Sequence, residues 1–157
     1  MKPKQQKKDH GFTLIELLVV VAIISLLSSI ALIAYQDTRQ KSRDAKRLGD
    51  MTQMASALEL YFNANKGYPP AVNREPADLS GSVVTLPKAP MPPDGNCAAL
   101  TTPSGDPAND YSYYPTGTAY TFNGKTLYPK YIYYFCLGNK TGNFEGGIHY
   151  VTPEGLR

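Results

Sequence analysis

The amino-acid sequence predicts an α+β protein in which a long N-terminal helix, first membrane-spanning and then amphipathic, packs against a small antiparallel sheet of three or four strands. Three observations support this class. Residues 17–34 contain no charged residue, Gly or Pro, apolar residues then recur every three or four positions up to residue 62, and segments rich in Tyr, Thr, Phe and Ile follow from Tyr111 onward. The first two patterns indicate helix and the third indicates strands.

The apolar segment extends from Phe12 to Ala34, and as a helix these 23 residues would be about 34 Å long. A hydrocarbon core about 30 Å thick can be spanned by a helix of that length. Glu16 is the one charged residue in the segment, and an unpaired carboxylate in lipid is costly. Glu16 therefore either lies near the membrane surface, where water solvates it, or has a partner of opposite charge.

Residues 1–11 form a leader with four Lys and one Asp that ends in a single Gly. A secretory signal is cleaved at an A-x-A-like site after its apolar region, but no such site lies between this apolar segment and the basic stretch that follows it. We therefore expect the cut before the segment, between Gly11 and Phe12, which would create a charged amine on Phe12. The positive-inside rule places the leader in the cytoplasm and the chain after Tyr35 outside.

The stretch Gly-Phe-Thr-Leu-Ile-Glu at residues 11–16, followed by the apolar segment, resembles the leader and stem of type IV pilins and type II secretion pseudopilins. The resemblance implies cleavage between Gly11 and Phe12 by a prepilin peptidase and N-methylation of Phe12. It also implies that Glu16 pairs with the Phe12 amine of a neighbouring subunit. Such a pair is costly to leave unmade, so it would set the axial register of otherwise uniform apolar helices. An inner-membrane assembly platform and an assembly ATPase are the further partners implied.

Residues 36–47 form a dense polar stretch of mixed charge that is expected to continue the helix outside the membrane. The favoured interpretation is a solvated helix face with some ion pairs between subunits. Contact with lipid head groups, with DNA or with a neighbouring subunit is the alternative. The candidate residues for contact with a polyanion are Arg39, Lys41, Arg43, Lys46 and Arg47.

An apolar stripe then follows the helix to its end. Its members recur at spacings of three and four, and are Leu48, Met51, Met54 or Ala55, Leu58, and Tyr61 or Phe62. We expect this stripe to pack against the sheet. The whole helix is expected to extend from Phe12 to Lys66, to end at Gly67 in a left-handed cap, and to be kept from resuming by Pro69 and Pro70.

Residues 69–110 are rich in Pro, Gly, Ser, Asn and Asp, and predict a loop over the core with a short strand or apolar plug at residues 83–86. Four side chains in this loop carry oxygens that suit calcium: Asp94, Asn96, Asp106 and Asp110. Their spacing matches no EF-hand loop, and turn formation explains them better. We predict no metal site and no cofactor.

Three segments predict strands: residues 111–115, 119–129 and 130–138. Asn123 and Gly124 predict a two-residue hairpin turn inside the second segment. Residues 131–137 alternate between two largely apolar faces, so one face is expected to pack on the helix and the other under a loop or neighbour. Residues 148–152 are expected to form the last strand.

Cys97 and Cys136 are the only cysteines, and the predicted topology places both outside the cytoplasm. We expect a disulfide between them, since that compartment favours oxidation. It would close a loop of about 40 residues and contribute on the order of 4 kcal/mol in the chain-entropy model. Two free buried thiols are the alternative.

Nothing in the sequence supports catalysis, and we predict that the protein is not an enzyme. The processed chain would keep one His, His149, and contains no G-x-S-x-G, C-x-x-C, H-E-x-x-H or P-loop motif. The net charge is +3, but without the leader the chain has 12 basic and 12 acidic side chains, so overall charge does not favour nucleic-acid binding. Asn139-Lys140-Thr141 matches the N-glycosylation tripeptide, which is weak evidence by itself.

The sequence predicts four segments: a cleaved leader at residues 1–11, a transmembrane and assembly half of the helix at 12–35, an amphipathic half at 36–66, and a globular domain of loop and sheet at 67–157. The predicted function is that of a pilin, the structural subunit of a type IV pilus-like extracellular filament. Roles in adhesion, motility or DNA uptake would follow. The subunit would reside in the cytoplasmic membrane before assembly and at the cell surface afterwards.

Two alternatives stay open. Residues 57–69 resemble the end of the long helix in major-class pseudopilins and in related pilins, and their Gly-Tyr-Pro end slightly favours a pseudopilin. The cysteine pair, the Tyr-rich sheet and the Pro-rich loop favour a pilus. A monomeric, membrane-anchored extracellular binding domain, whose tyrosines grip a ligand, belongs to a different class. It predicts that Glu16→Ala leaves function intact, whereas the filament predicts poor assembly.

Overall fold

The structure is a computed structural model that describes residues 12–79, 85–107 and 109–157. The chain separates into two compact units, Met1–Thr38 and Arg39–Arg157. One helix, α1 (Leu14–Asn65), contributes residues to both. The α+β class with one long helix and a small antiparallel sheet is confirmed. The leader, with Gly11, lies outside the described residues, as do Val83 and Val84 of the expected short strand.

In the first unit, α1 presents its apolar side chains on its surface. Their exposed fractions range from 47% at Val20 to 81% at Leu14. The hydroxyls of Ser25 and Ser29 donate to the carbonyls of Val21 and Ser25, at 2.7 and 2.9 Å, so these polar groups are satisfied within the helix. By length and composition alone, α1 is the one helix within residues 12–79, 85–107 and 109–157 that is able to cross a membrane.

In the second unit, the amphipathic part of α1 buries the predicted stripe. Met51, Met54 and Leu58 are fully buried, and Tyr61 nearly so. They form one core with tyrosines and other apolar side chains of the sheet. Burying each such side chain contributes roughly 1.5–3 kcal/mol, so the stripe is what fixes the helix on the sheet.

The main sheet has four antiparallel strands in the order β3-β6-β7-β8. These are β3 (Ser112–Thr116), β6 (Lys130–Leu137), β7 (Gly147–Thr152) and β8 (Gly155–Leu156). Tyr113 lies opposite Tyr133, and Phe135 opposite His149. The expectation that β7 is the last strand is wrong, because the chain turns back after Thr152 and pairs two more residues. A strand of two residues is too short to show any alternation in the sequence.

The central strand β6 has the two faces that the sequence predicts. Tyr131, Tyr133, Phe135 and Leu137 are buried in the core shared with the helix. Tyr134, on the other face, is half-buried and stacks edge-to-face with tyrosines of both neighbouring strands. The strand is therefore apolar on both sides but covered by the helix on only one.

Two short hairpins lie outside the main sheet. One joins β4 (Tyr120–Phe122) to β5 (Lys125–Leu127) through Asn123 and Gly124, whose φ values are 49° and 75°. Those left-handed values are what a two-residue hairpin turn requires, and the turn prediction is confirmed. The other joins β1 (Ala71–Val72) to β2 (Glu75–Pro76), within the segment expected to be loop. That segment also contains a 3-10 helix at Gly95–Ala98.

The end of α1 differs from the prediction at one residue. Lys66, rather than Gly67, adopts the left-handed conformation, with φ of 66°, and its N–H donates to the carbonyl of Phe62. Gly67 is needed for a different reason. A Cβ there would lie 2.4 Å from the hydroxyl oxygen of Tyr120 and 2.7 Å from the Cβ of Leu127. The position requires Gly because the β4–β5 hairpin approaches the backbone, not because of the helix cap.

Candidate assembly site

The first turn of α1 is closed by Thr13 and Glu16. The N–H and the hydroxyl of Thr13 donate to one carboxylate oxygen of Glu16, at 2.9 and 2.7 Å. The N–H of Glu16 donates in return to the Thr13 hydroxyl, at 3.3 Å. This reciprocal arrangement is a capping box, in which each side chain satisfies an otherwise unpaired backbone donor. The pattern Thr-x-x-Glu before an apolar run was the available sequence signal, and the sequence reasoning missed it.

Two predicted features of this end are not tested by the structure. Gly11 is outside the described residues, and cleavage after it stays a prediction. Phe12 is described and 84% exposed, and its N-methylation also stays a prediction. Within its own chain Glu16 accepts both hydrogen bonds from Thr13 on one carboxylate oxygen, Oε2.

A buried ion-pair cluster lies near the start of the second unit. Asp94 accepts hydrogen bonds from Nε and Nη2 of Arg43, at 2.6 and 2.5 Å, and from Nη1 of Arg47 at 3.4 Å. Only 3% of the Asp94 side chain is exposed. The hydrogen bonds from Arg43 lower the pKa of Asp94 below its usual range, against the opposing effect of burial. A two-pronged arginine contact of this kind is strong and geometrically specific.

Asp44 completes the cluster from the helix. Its carboxylate accepts from Nη1 of Arg47 at 2.7 Å, and from the backbone N–H groups of Gly138 and Asn139 at 2.8 and 3.0 Å. The side chains of Asp44 and Arg47 are 0% and 1% exposed. Arg47 also donates to the carbonyl of Pro90 at 3.0 Å. These four charged residues, Arg43, Asp44, Arg47 and Asp94, are called the Asp94 cluster below.

The Asp94 cluster changes the interpretation of the polar stretch. The expectation of a solvated face is wrong at Asp44 and Arg47, which are buried, and at Arg43, which is committed to Asp94. Lys41 and Lys46 are exposed. A sequence signal existed, because residues 47 and 44 continue the three-and-four spacing of the buried stripe from Met51 by two turns toward the N-terminus.

Cys97 and Cys136 form a disulfide in the structure, with their Cα atoms 5.7 Å apart. The bond joins the 3-10 helix at Gly95–Ala98 to strand β6. Both cysteines are buried, on the side of β6 that faces away from the main core, and Ile148 packs against them. The disulfide therefore ties the loop to β6, whereas the Asp94 cluster ties the loop and the two residues after β6 to α1.

The alternative of a calcium site in the loop gains no support. Asp94 faces two arginines, and Asp106 lies 3.2 Å from an Arg74 nitrogen in an ion pair without hydrogen-bond geometry. Within the part of the chain that the structure describes, no group of three or more His, Cys, Asp or Glu side chains is placed to hold a metal ion.

The amide of Asn139, in the glycosylation tripeptide, donates to Gln40 at 3.1 Å and is half-buried.

The tyrosines divide into an inner and an outer group. Three inner hydroxyls reach polar partners, Tyr68 donating to Glu59 at 2.7 Å, Tyr111 to Asp50 at 2.8 Å and Tyr113 to the carbonyl of Pro69 at 2.9 Å. Burial raises the pKa of all these inner phenols well above its usual value. The outer group stacks across three strands with ring centroids about 6 Å apart, and consists of Tyr114, Tyr134 and Tyr150.

Comparison with known proteins agrees with the architecture. Residues 6–32 match the family model described as the prokaryotic N-terminal methylation motif. Over 137 residues the chain is 30% identical to type II secretion system core protein G of Vibrio cholerae, covering 79% of this chain and 83% of that protein. No solved structure gives a significant match.

Shorter matches connect the chain to pilins. It is 47% identical over 57 residues to a probable minor fimbrial protein of Dichelobacter nodosus, and 45% identical over 51 residues to the type IV major alpha-pilin of Moraxella bovis. The chain spans only 36% and 32% of the lengths of those two proteins. The family model, the long alignment and the single helix packed on a four-stranded sheet agree with one another. The chain belongs to the type IV pilin and type II secretion pseudopilin family.

Proposed function

We propose that the chain is a pilin, the structural subunit of a type IV pilus-like extracellular filament, processed after Gly11 and polymerised through the apolar half of its helix. The observation that carries the proposal is the apolar surface of residues 12–32, exposed along its length in the single chain. Such a surface needs either lipid or other protein around it. Leaving the membrane requires an equally apolar destination, and identical helices from other subunits would provide one.

The proposed cellular course combines this apolar surface with what the family implies. Before assembly, residues 12–35 would cross the cytoplasmic membrane with the basic leader inside and residues 67–157 outside. A prepilin peptidase would remove the leader, and an assembly platform and an ATPase would move subunits into the filament. Phe12 would be methylated, and its amine would pair with Glu16 of a neighbour. The names of the similar pilins and fimbrial proteins support this course.

The first test is the intact mass and amino-terminal sequence of the protein purified from its own membranes. A chain that begins at N-methyl-Phe12 is the expected result. A chain that still begins at Met1, in cells with an active prepilin peptidase, would leave only a membrane-anchored domain.

The second test separates the two roles of Glu16. Glu16→Gln keeps an oxygen that accepts from Thr13, since Gln also serves in capping boxes, but it removes the charge. Glu16→Ala removes both. If pairing with the Phe12 amine sets register, both variants lose filaments, as seen by electron microscopy of sheared surface fractions. Filament yield that Gln restores to the unsubstituted level would show that only the cap matters, and normal function of both variants would favour the anchored monomer.

A pseudopilin of a type II secretion system is the second candidate. It is favoured by the alignment with core protein G, which covers 83% of that protein, more than any of the pilin matches given above. Deletion of the coding sequence distinguishes the two. Loss of surface filaments with normal protein secretion supports the pilin, whereas retention of secreted proteins in the periplasm supports the pseudopilin.

DNA is the least supported partner. Of the five predicted cations, Arg43 and Arg47 are engaged in the Asp94 cluster, so the polyanion surface would be smaller than the sequence suggests. Binding of DNA to assembled filaments should weaken steeply with salt if the exposed Lys41 and Lys46 contact phosphates. The absence of salt-dependent binding would remove this role.

A further inference from the structure

The Asp94 cluster holds two chain segments that are distant in sequence and that each lead to a cysteine. Through Arg43 and Arg47 it holds Asp94, three residues before Cys97. Through Asp44 it holds the N–H groups of residues 138 and 139, just after Cys136. Arg47 contacts both aspartates, so the two attachments form one unit on the helix.

The backbone between these attachments is closely packed. The N–H of Cys97 donates to the carbonyl of Asp94 at 2.8 Å, and that of Asn96 donates to the carbonyl of Gly138 at 3.2 Å. A Cβ on Gly95 would lie 2.2 Å from the Gly138 carbonyl oxygen, and one on Gly138 would lie 2.6 Å from the Cβ of Asp94. Only glycine permits this approach, which places residue 97 beside residue 136. None of these contacts uses the disulfide itself.

We propose that the Asp94 cluster is a positioning site for oxidation, which brings the thiols of Cys97 and Cys136 together before the bond between them forms. In this order of events the ion pairs and amide hydrogen bonds dock the loop on β6, and the disulfide then closes in the docked state. The opposite order, in which the disulfide forms first and the ion pairs follow, assigns no such role to the charges. The proposal does not rest on the filament function.

The chemistry is thiol–disulfide exchange with a low-molecular-weight disulfide such as glutathione disulfide. One cysteine thiolate attacks the small disulfide, forming a mixed disulfide and releasing one small thiolate. The second cysteine thiolate then attacks the protein sulfur of the mixed disulfide and releases the other. In sum, two protein thiols lose two electrons and two protons, and one small disulfide becomes two small thiols. Proximity accelerates the second, intramolecular attack.

The test measures the effective concentration of the two thiols, from the equilibrium of full-length protein in detergent micelles with glutathione buffers. Asp94→Asn keeps the size of the side chain but removes the charge that holds both arginines. We expect the effective concentration to fall at least tenfold, equivalent to about 1.4 kcal/mol. Asp106→Asn, in the same loop but in a looser and more exposed ion pair, is the matched control and should change it less than twofold. A fall of less than twofold in Asp94→Asn, or an equal fall in Asp106→Asn, would overturn the proposal.

The effective concentration measures the coupling between the cluster and the disulfide but not which forms first, because such a coupling is reciprocal. A second measurement therefore tests the order, and it also covers the case in which Asp94→Asn does not fold. In the double variant Cys97→Ser and Cys136→Ser the disulfide is absent while every charge remains. The amide hydrogens of Gly138 and Asn139 donate hydrogen bonds to Asp44, and they should stay protected from solvent exchange in this variant. Loss of that protection would show that the disulfide holds the cluster together, and would refute the proposed order.

Discussion

Asp44 offers the most demanding test of the packing described here, because three donors converge on its buried carboxylate. Asp44→Ala would leave Arg47, also buried, with only a 3.4 Å contact to Asp94 and one carbonyl partner. Breaking a buried pair on one side typically costs about 3–5 kcal/mol, because the remaining charge is left uncompensated. The two backbone N–H groups add cost wherever water cannot reach them. We therefore expect the free energy of unfolding to fall by about 3–5 kcal/mol.

The assay is urea unfolding of full-length protein in detergent micelles, followed by the near-ultraviolet circular dichroism of the tyrosines, since the chain has no Trp. With a slope of about 1.5 kcal/mol per molar urea, the midpoint should move down by about 2–3 M. Asp37→Ala, an exposed acid of the same helix, is the control and should move it little. A loss below about 1 kcal/mol with an unchanged slope would refute the reasoning, since it would mean that water or a rearranged side chain replaces the carboxylate.

Three further predictions follow from the geometry. Gly67→Ala should lower the free energy of unfolding by about 1–3 kcal/mol through overpacking. Gly49→Ala, whose new Cβ would enter open space beside the helix, should raise it by up to about 1 kcal/mol, and thermal unfolding of both variants tests this. The pKa of Asp94 is lowered in the folded state, so its contribution is present above the unfolded value of about 3.9 and is lost as pH falls below it; Asp94→Asn should flatten the acid limb of the stability curve. The pKa of Tyr113 is raised by burial, so its contribution to the free energy of unfolding is full below about pH 10 and is lost as the pH rises above that value. Phenolate absorbance should appear together with unfolding, and phenolate formation in a folded core would contradict the burial.

The parts of the fold that the sequence predicted are those with a regular period. The stripe from Met51 to Tyr61 follows the helical repeat, and β6 follows the repeat of two, so the side chains of both segments could be assigned to buried faces from the residue pattern alone. Asn123 and Gly124 identified a hairpin because few other residues accept two left-handed positions in succession. The β1–β2 hairpin, strand β8 and the 3-10 helix had no such signal, since elements of two to four residues are fixed by the contacts that surround them.

The Asp94 cluster was missed because a charged residue on a helix is normally assigned to water. Residues 44 and 47 lie on the same helix face as the apolar stripe, which predicts that they are buried. Their charges predict that they are exposed to water. The structure resolves this conflict with Asp94, which is 47 residues away from Arg47 in the chain. Only the tertiary contact makes burial tolerable, because a buried charge needs its partner. Charged pairs in phase with an apolar stripe should therefore be treated as candidate buried pairs.

The capping box also changes how the assembly role of Glu16 should be considered. A carboxylate without any partner in lipid would be stabilised by the whole interaction free energy of a new partner. Glu16, however, already accepts two hydrogen bonds from Thr13 and lies in the positive field of a helix N-terminus. Only the difference between the two environments can drive assembly, because a ligand shifts an equilibrium by its differential affinity alone. The cap therefore stabilises the carboxylate within the single chain, and in the proposed filament a neighbour's amine would have to add to the cap or displace it. The proposed pairing with an amine requires the negative charge of Glu16, whereas the cap requires only an oxygen that accepts hydrogen bonds. Glu16→Gln therefore separates the two roles.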